Sequence, residues 1–273
     1  MFMSNVDKTA YISKEHQAYL QQRDSYKKRV VFAQIGLLVV FFLLWEIAGN
    51  LRWIDPFITS QPTRIMRTLV SLHNEGSLYH HIAITVMETV AGFILGTIIG
   101  TMVAVALWWS KFLSDVLDPY VVVLNSLPKI ALGPILFVWI GHGAPAIIAM
   151  ALLISVVVTI LGVYSGFTQV EPEKIRLLES FGATRAQVLQ KVILPASVPT
   201  IVSALKINVG LSWVGVIVGE FLVSRAGLGY LIVYGGQVFR LDLVMTSVLI
   251  LAVAAALMYQ AVVLLEKHFL NWQ

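Results

Sequence analysis

Residues 84–107 read ITVMETVAGFILGTIIGTMVAVAL. This stretch contains one ionisable side chain, Glu88. As a helix rising 1.5 Å per residue it spans about 36 Å, enough to cross a hydrocarbon core of ~30 Å. It ends at Trp108, Trp109 and Lys111, an aromatic belt followed by a basic anchor. Gly92, Gly96 and Gly100 recur every four residues along it. Such a stripe of small side chains lets a neighbouring helix approach closely.

Comparable apolar runs lie on either side, near 30–49, 116–140, 144–167, 198–222 and 243–265. Hydrophobic residues make up 58% of the 273, charged residues 12%. A soluble domain carries roughly 25% charged residues, so an ordinary water-facing surface is excluded. The fold expected is an all-α membrane protein of about six transmembrane helices. The run at 30–49 is too long for a signal-peptide core, so it reads as an uncleaved first span behind a polar tail, 1–29. A polar stretch with Pro56 and Pro62 links it to the second span. The third run is interrupted by Pro119, Pro128 and Pro134. Backbone freed by proline is tolerated at membrane depth only against protein or a watery cavity, so this span is expected inside the bundle. Gly162/Gly166 and Gly215/Gly219 repeat the four-residue spacing on the fourth and fifth spans; the reading preferred is packing within the chain.

Charge sets the expected orientation. With the N-terminus inside, inner segments hold twelve Lys and Arg and outer ones five: Arg52, Arg64, Arg67, Arg225 and Arg240. This bias favours both termini inside. It also accounts for the net charge of +4 without nucleic acid. The organisation expected is a cytoplasmic tail 1–29, a first span and outer polar stretch 30–81, a five-helix core 82–267 with a cytoplasmic loop 168–197, and a short inner tail 268–273.

That loop is the longest polar stretch between later spans. Pro172, with Glu171 and Glu173, suits a helix start. Ile175, Leu178 and Phe181 share a face. Gly182 suits a helix C-terminus, and Thr184 with Gln187 forms a capping box for a second short helix. Pro195 and Pro199 are expected to end that helix before the fifth span. The apolar face must bury itself against its own bundle or in a partner's groove.

Gly182 followed after nine residues by Val192-Ile193-Leu194-Pro195 resembles the signature loop of permeases in ATP-binding-cassette importers, E-A-A, three residues, G, nine residues, I-x-L-P. The E-A-A positions fall on Arg176, Leu177 and Leu178 and do not match; Glu179 stands three residues late. Asp118-Pro119, Leu127-Pro128, Pro134 with Trp139-Ile140-Gly141, Trp213, Glu220 and Gly227-Leu228-Gly229-Tyr230 are similar to the nitrate/sulfonate/taurine branch, close to pyrimidine-precursor permeases. The resemblance implies a type I importer permease bundle in a prokaryotic inner membrane. It implies a permease dimer, two ATP-binding subunits that dock on the loop, and an external solute-binding protein. The docking residues implied are Ile175, Leu178, Glu179, Phe181, Gly182, Ala183, Thr184, Leu194 and Pro195. The solute implied is a small anion such as a sulfonate or nitrate, or a small heterocycle such as a thiamine-precursor pyrimidine.

Glu88, Lys129, Lys206 and Glu220 fall at membrane depth, where ionisable groups are costly and raise a functional question. Lys206 and Glu220 lie ~21 Å apart on one helix and cannot pair. Lys206 is near enough to the inner end to snorkel. Lys129 is expected either to pair with Glu88 or Glu220 or to face the pathway and attract an anion. Trp213, near mid-span, is a further pathway candidate, whereas Trp139 and Tyr230 suit interfacial anchoring. An enzyme is the remoter alternative: the chain has no cysteine, no H-E-x-x-H and no G-x-S-x-G, and His80–His81 has no obvious third ligand. No cofactor is expected. No G-x-x-x-x-G-K-[ST] is present, so ATP hydrolysis is expected from a separate subunit. A self-sufficient secondary transporter would usually show two related halves, and none is visible.

Overall fold

The structure is a computed structural model that describes residues 14–269. Lys8 and the last four residues lie outside that range. The regular structure in the described residues is helical. Five helices are long and apolar enough to cross a membrane, or six if one bent pair counts as a single span. The chain divides into two compact units, residues 1–64 and 65–273.

The first unit is built on α1 (Lys14–Asn50), followed by α2 (Pro56–Thr59) and the start of α3 (Pro62–Asn74). Helix α1 takes in most of the expected tail. No proline or glycine occurs between Lys14 and Ile35, so nothing stops the helix where its surface changes from polar to apolar. At its far end Glu46 accepts hydrogen bonds from Thr63 N and Thr63 Oγ1, at 3.0 and 2.6 Å. It thereby fills the orphan donors that begin α3. Asp55 caps α2 through Phe57 N at 2.9 Å.

The second unit continues with α4 (Leu78–Trp109), α5 (Lys111–Ser126), a 3₁₀ turn (Lys129–Leu132), α6 (Gly133–Ile140) and α7 (Ala144–Thr168). Then come α8 (Pro172–Ser180), α9 (Arg185–Val188), a π-helical turn (Leu189–Ile193), α10 (Leu194–Val223), α11 (Leu228–Gln237) and α12 (Leu241–Phe269). Its centre is α7, packed between α4 and α10. On α4, a Cβ added to Gly92, Gly96 or Gly100 would come within 2.8 Å of Ala151, Ser155 or Thr159 respectively. Both series climb together, so α4 and α7 run parallel. On the other side Gly215 meets Ala151, Gly219 meets Ile147 and Gly162 meets Ala204; here one series climbs as the other falls, so α7 and α10 run antiparallel. The glycine stripes are thus intramolecular packing surfaces.

Two expectations are corrected. Pro195 and Pro199 do not end a helix: Arg185–Val223 is one continuous apolar rod of 39 residues. Pro195 sits in the first turn after the π turn, where the change of hydrogen-bond spacing absorbs a missing donor. The broken span is indeed bent, by 89° between α5 and the segment ending in α6. Yet α5 has no buried residue, so within this chain it lies on the outside of the bundle. Three prolines predict the break; among the described residues nothing buries α5.

The packing yields a direct test. A Cβ on Gly215 would overlap the backbone of Ala151, whereas one on Gly210 meets nothing within 4 Å. Gly215→Val should cost about 1–3 kcal/mol through overpacking and lower the midpoint of thermal unfolding in detergent by several degrees. Gly210→Ala should leave it unchanged or slightly raised.

Candidate coupling loop and intramembrane carboxylates

The polar loop folds as its sequence dictates. Pro172 opens α8, with Glu173 in the first turn. At the other end Gly182 N donates to Glu179 O at 2.9 Å and Ala183 N to Leu178 O at 3.1 Å. This pair of bonds is the Schellman closure, and it requires the left-handed backbone that Gly182 adopts, φ +78°. Thr184 then caps α9: Gln187 N donates to its hydroxyl and Gln187 Oε1 accepts from Thr184 N at 2.8 Å. The loop is therefore rigidly closed by local bonds at every joint.

Its apolar residues part company. Ile175, Leu178, Ala183 and Leu194 pack on the chain's own core of Ala104, Val163, Phe167, Val170, Val188, Leu189 and Ile193. Leu177 and Phe181 point away, and Phe181 is 80% exposed. Glu179, Gly182 and Thr184 lie beside it, all three exposed, and Pro195 is half-buried. One face thus serves the bundle and the other is left bare. Arg185, the first residue of α9, places its guanidinium 5.6 Å from the Trp108 ring centre and 5.9 Å from that of Trp109.

The charges at membrane depth sort differently from expectation. Lys129 does not pair with Glu88 or Glu220. It lies at the proline break, half-buried, and its Nζ donates to Asn125 O at 3.0 Å. Lys206 forms an ion pair with Glu266 of α12 at 2.6 Å. Glu88 and Glu220 lie near each other instead, both buried, and Glu88 Oε2 has no hydrogen-bond partner among the described residues.

Glu220 organises the end of the bundle opposite the loop. Its Oε1 accepts from Thr85 Oγ1 at 2.6 Å and its Oε2 from Gly229 N at 2.5 Å. Thr85 Oγ1 in turn accepts from Leu228 N at 2.7 Å, and His81 Nδ1 from Gly227 N at 3.0 Å. Three orphan donors at the start of α11 are thereby held by side chains of α4 and α10. Any side chain at Gly227 or Gly229 would overlap the Glu220 carboxyl. The G-L-G run is therefore a socket for that acid. Sequence reasoning missed Thr85 and His81. They lie one and two turns before Glu88 and Thr89 on the glycine-striped face of α4, and that helical spacing was the available signal.

The aromatic candidates divide as well. Trp213 is buried against Val209 and Val262 beside an apolar pocket of about 330 Å³ lined by Ile217 and Leu251, so it faces α12. Trp139 is 80% exposed. Tyr230 stacks between His81 and Tyr234.

Residues 92–271 match the family model described as binding-protein-dependent transport system inner membrane component. The chain belongs to this family. The match runs from mid-α4 past the end of α12 and so takes in the three-helix core, the loop and the Glu220 socket. Among curated relatives, the taurine transport system permease protein TauC of Escherichia coli (strain K12) is 26% identical over 249 residues, 89% of this chain and 90% of that protein. The putative aliphatic sulfonates transport permease protein SsuC of Bacillus subtilis (strain 168) is 28% identical over 240 residues, 87% of each. The fold is also that of a chain in a bacterial ATP-binding-cassette transporter solved for import of the acidic polysaccharide alginate, with TM-score 0.63 and 16% identity over 92% of this chain and 99% of that one. This chain is accordingly a multi-pass membrane permease of the ATP-binding-cassette importer type.

The Glu220 socket makes a prediction. Glu220→Ala strands the Gly229 N–H, leaves the Thr85 hydroxyl only its longer bond to His81 O at 3.2 Å, and should cost about 1–3 kcal/mol. Glu220→Gln, which keeps an acceptor, should cost less. Thermal unfolding in detergent and abundance in the membrane fraction should rank wild type, Gln, then Ala.

Proposed function

We propose that this chain forms the translocation pathway for a small solute and is driven by ATPase subunits seated on the α8–α9 loop. The observation that carries the proposal is the split face of that loop: Ile175 and Leu178 bind it to its own core, while Leu177 and Phe181 stand bare beside the rigid Gly182 turn. An exposed aromatic on a locally closed turn is a knob for a partner's groove. The basic excess on this side of the chain favours a cytoplasmic loop. In this reading the chain itself is non-catalytic. An external binding protein delivers the solute at the opposite end, in the inner membrane of a prokaryote.

A second permease copy completes the pathway. The bent span leaves α5 and the break at Leu127–Pro128 exposed among the described residues, with Lys129 half-buried beside them, and lipid does not tolerate such freed backbone. A second copy around a watery path supplies that cover. Lys129 retains two donors beyond its bond to Asn125, and it suits a small anion of the sulfonate class better than a neutral heterocycle.

Two experiments test this reading. Tagged wild-type chain purified from its host in mild detergent should bring down an ATPase subunit in near-equal amount. Phe181→Asp should lose it while the permease folds normally, and Gly182→Glu should lose it by also straining the left-handed turn; retention by both would reject the docking surface, and no ATPase with wild type would reject the importer. Lys129→Gln should reduce uptake of a sulfonate such as taurine by roughly 5- to 100-fold, the equivalent of one charged hydrogen bond of about 1–3 kcal/mol, with the complex still assembled.

A further inference from the structure

Arg185 lies 77 residues from Trp108 in sequence, and a docking role for the loop does not explain its position. It is the first residue of α9, fixed by the Thr184 cap and the Gly182 turn. Its guanidinium covers both tryptophans that end α4, and its Nη2 donates to Trp108 O at 3.4 Å. That carbonyl is among the last of α4, which have no partner within the helix, and a cation is favoured there by the helix dipole. Cation–π contact and carbonyl capping therefore act on the same end of the same helix.

The segment after Trp109 makes this contact more than a cap. Only Ser110 separates α4 from α5. Ser110 accepts from Leu113 N at 3.2 Å and so starts α5. Ser114, one turn on, shares a 2.6 Å hydrogen bond with Tyr164 of α7. Helix α5 has no buried residue and leads into the proline break that carries Lys129. The loop also packs on the bundle core, to which α5 is tied through Ser114 and Tyr164. Arg185 provides the short route: loop, α4 end, Ser110, α5.

Resting on the importer function proposed for the chain, we infer that Arg185 is a positioning residue that transmits movement of the ATPase-docked loop to the α4–α5 elbow, and through it to the broken span. It does not hold the ATPase; Leu177 and Phe181 do. Its planar guanidinium is the operative group, since a lysine keeps the charge but neither stacks on both rings nor forms the same fork of donors.

The chain has no cysteine, so a single cysteine at Leu124 on exposed α5, labelled with bimane, reports on that helix alone. The purified permease–ATPase complex is measured before and after trapping with Mg-ATP and vanadate, with a complex lacking the cysteine as blank. Arg185 intact should give a nucleotide-dependent bimane shift. Arg185→Ala should retain the ATPase and the thermal unfolding midpoint yet reduce that shift at least fivefold. Arg185→Lys should reduce it nearly as much, and Trp109→Leu should act in the same direction. An undiminished shift in Arg185→Ala, or a wild-type complex whose α5 reporter ignores nucleotide, overturns the inference. Loss of the ATPase from Arg185→Ala also overturns it, because Arg185 would then be a docking residue. A wild-type preparation without any ATPase overturns the importer reading itself.

Discussion

Everything in the larger unit is arranged around the close approach of three helix backbones. In lipid, apolar side chains gain nothing by leaving one hydrocarbon surface for another, so helices associate through tight contact and polar bonds. Helix α7 obtains that contact on both flanks, against the glycines of α4 and those of α10. The four-residue spacing fixes register as well as distance, because each glycine receives one particular side chain. Parallel α4 and antiparallel α10 result from which residues meet.

The loop and the socket are consequences of that core placed at opposite ends. At one end the chain turns back through α8 and α9 under a continuous set of caps, and the loop's inner face rests on residues contributed by α4, α7 and the π turn. At the other, α4 and α10 are held close enough for His81, Thr85 and Glu220 to receive three consecutive backbone N–H groups of α11. A buried carboxyl in a membrane demands such an account. Here it is structural, with Glu88 alongside.

Local rules were legible in the sequence. The turn at Gly182, the Thr184–Gln187 box, the glycine stripes and the break at Pro128 are all written within a few residues and appear where the patterns put them. What escaped was distant pairing. Lys129 was expected either to pair with Glu88 or Glu220 or to face the pathway, but charge alone does not say which acids are already engaged, and Glu220 is held by Thr85 and Gly229. Arg185 meets Trp108 across 77 residues, and no periodicity encodes that. Pro195 misled for a subtler reason: a π turn just before it makes a proline acceptable where an α-helix would have stopped. The bare α5 shows the remaining limit, for one chain's sequence carries no pattern that names what covers it.

The continuity of Arg185–Val223 has a mechanical consequence. Thirty-nine residues of continuous helix make a rod of about 58 Å, with the Gly182 turn at one tip and Glu220 near the other. Gly215 and Gly162 press it against α7 between those tips. The π turn and Pro199 place any bend near the loop end; the stretch from Ala204 to Gly219, gripped along α7, moves as one piece. Tilting that stretch about its grip on α7 carries its two ends in opposite directions, so a displacement at one end is returned at the other with opposite sign.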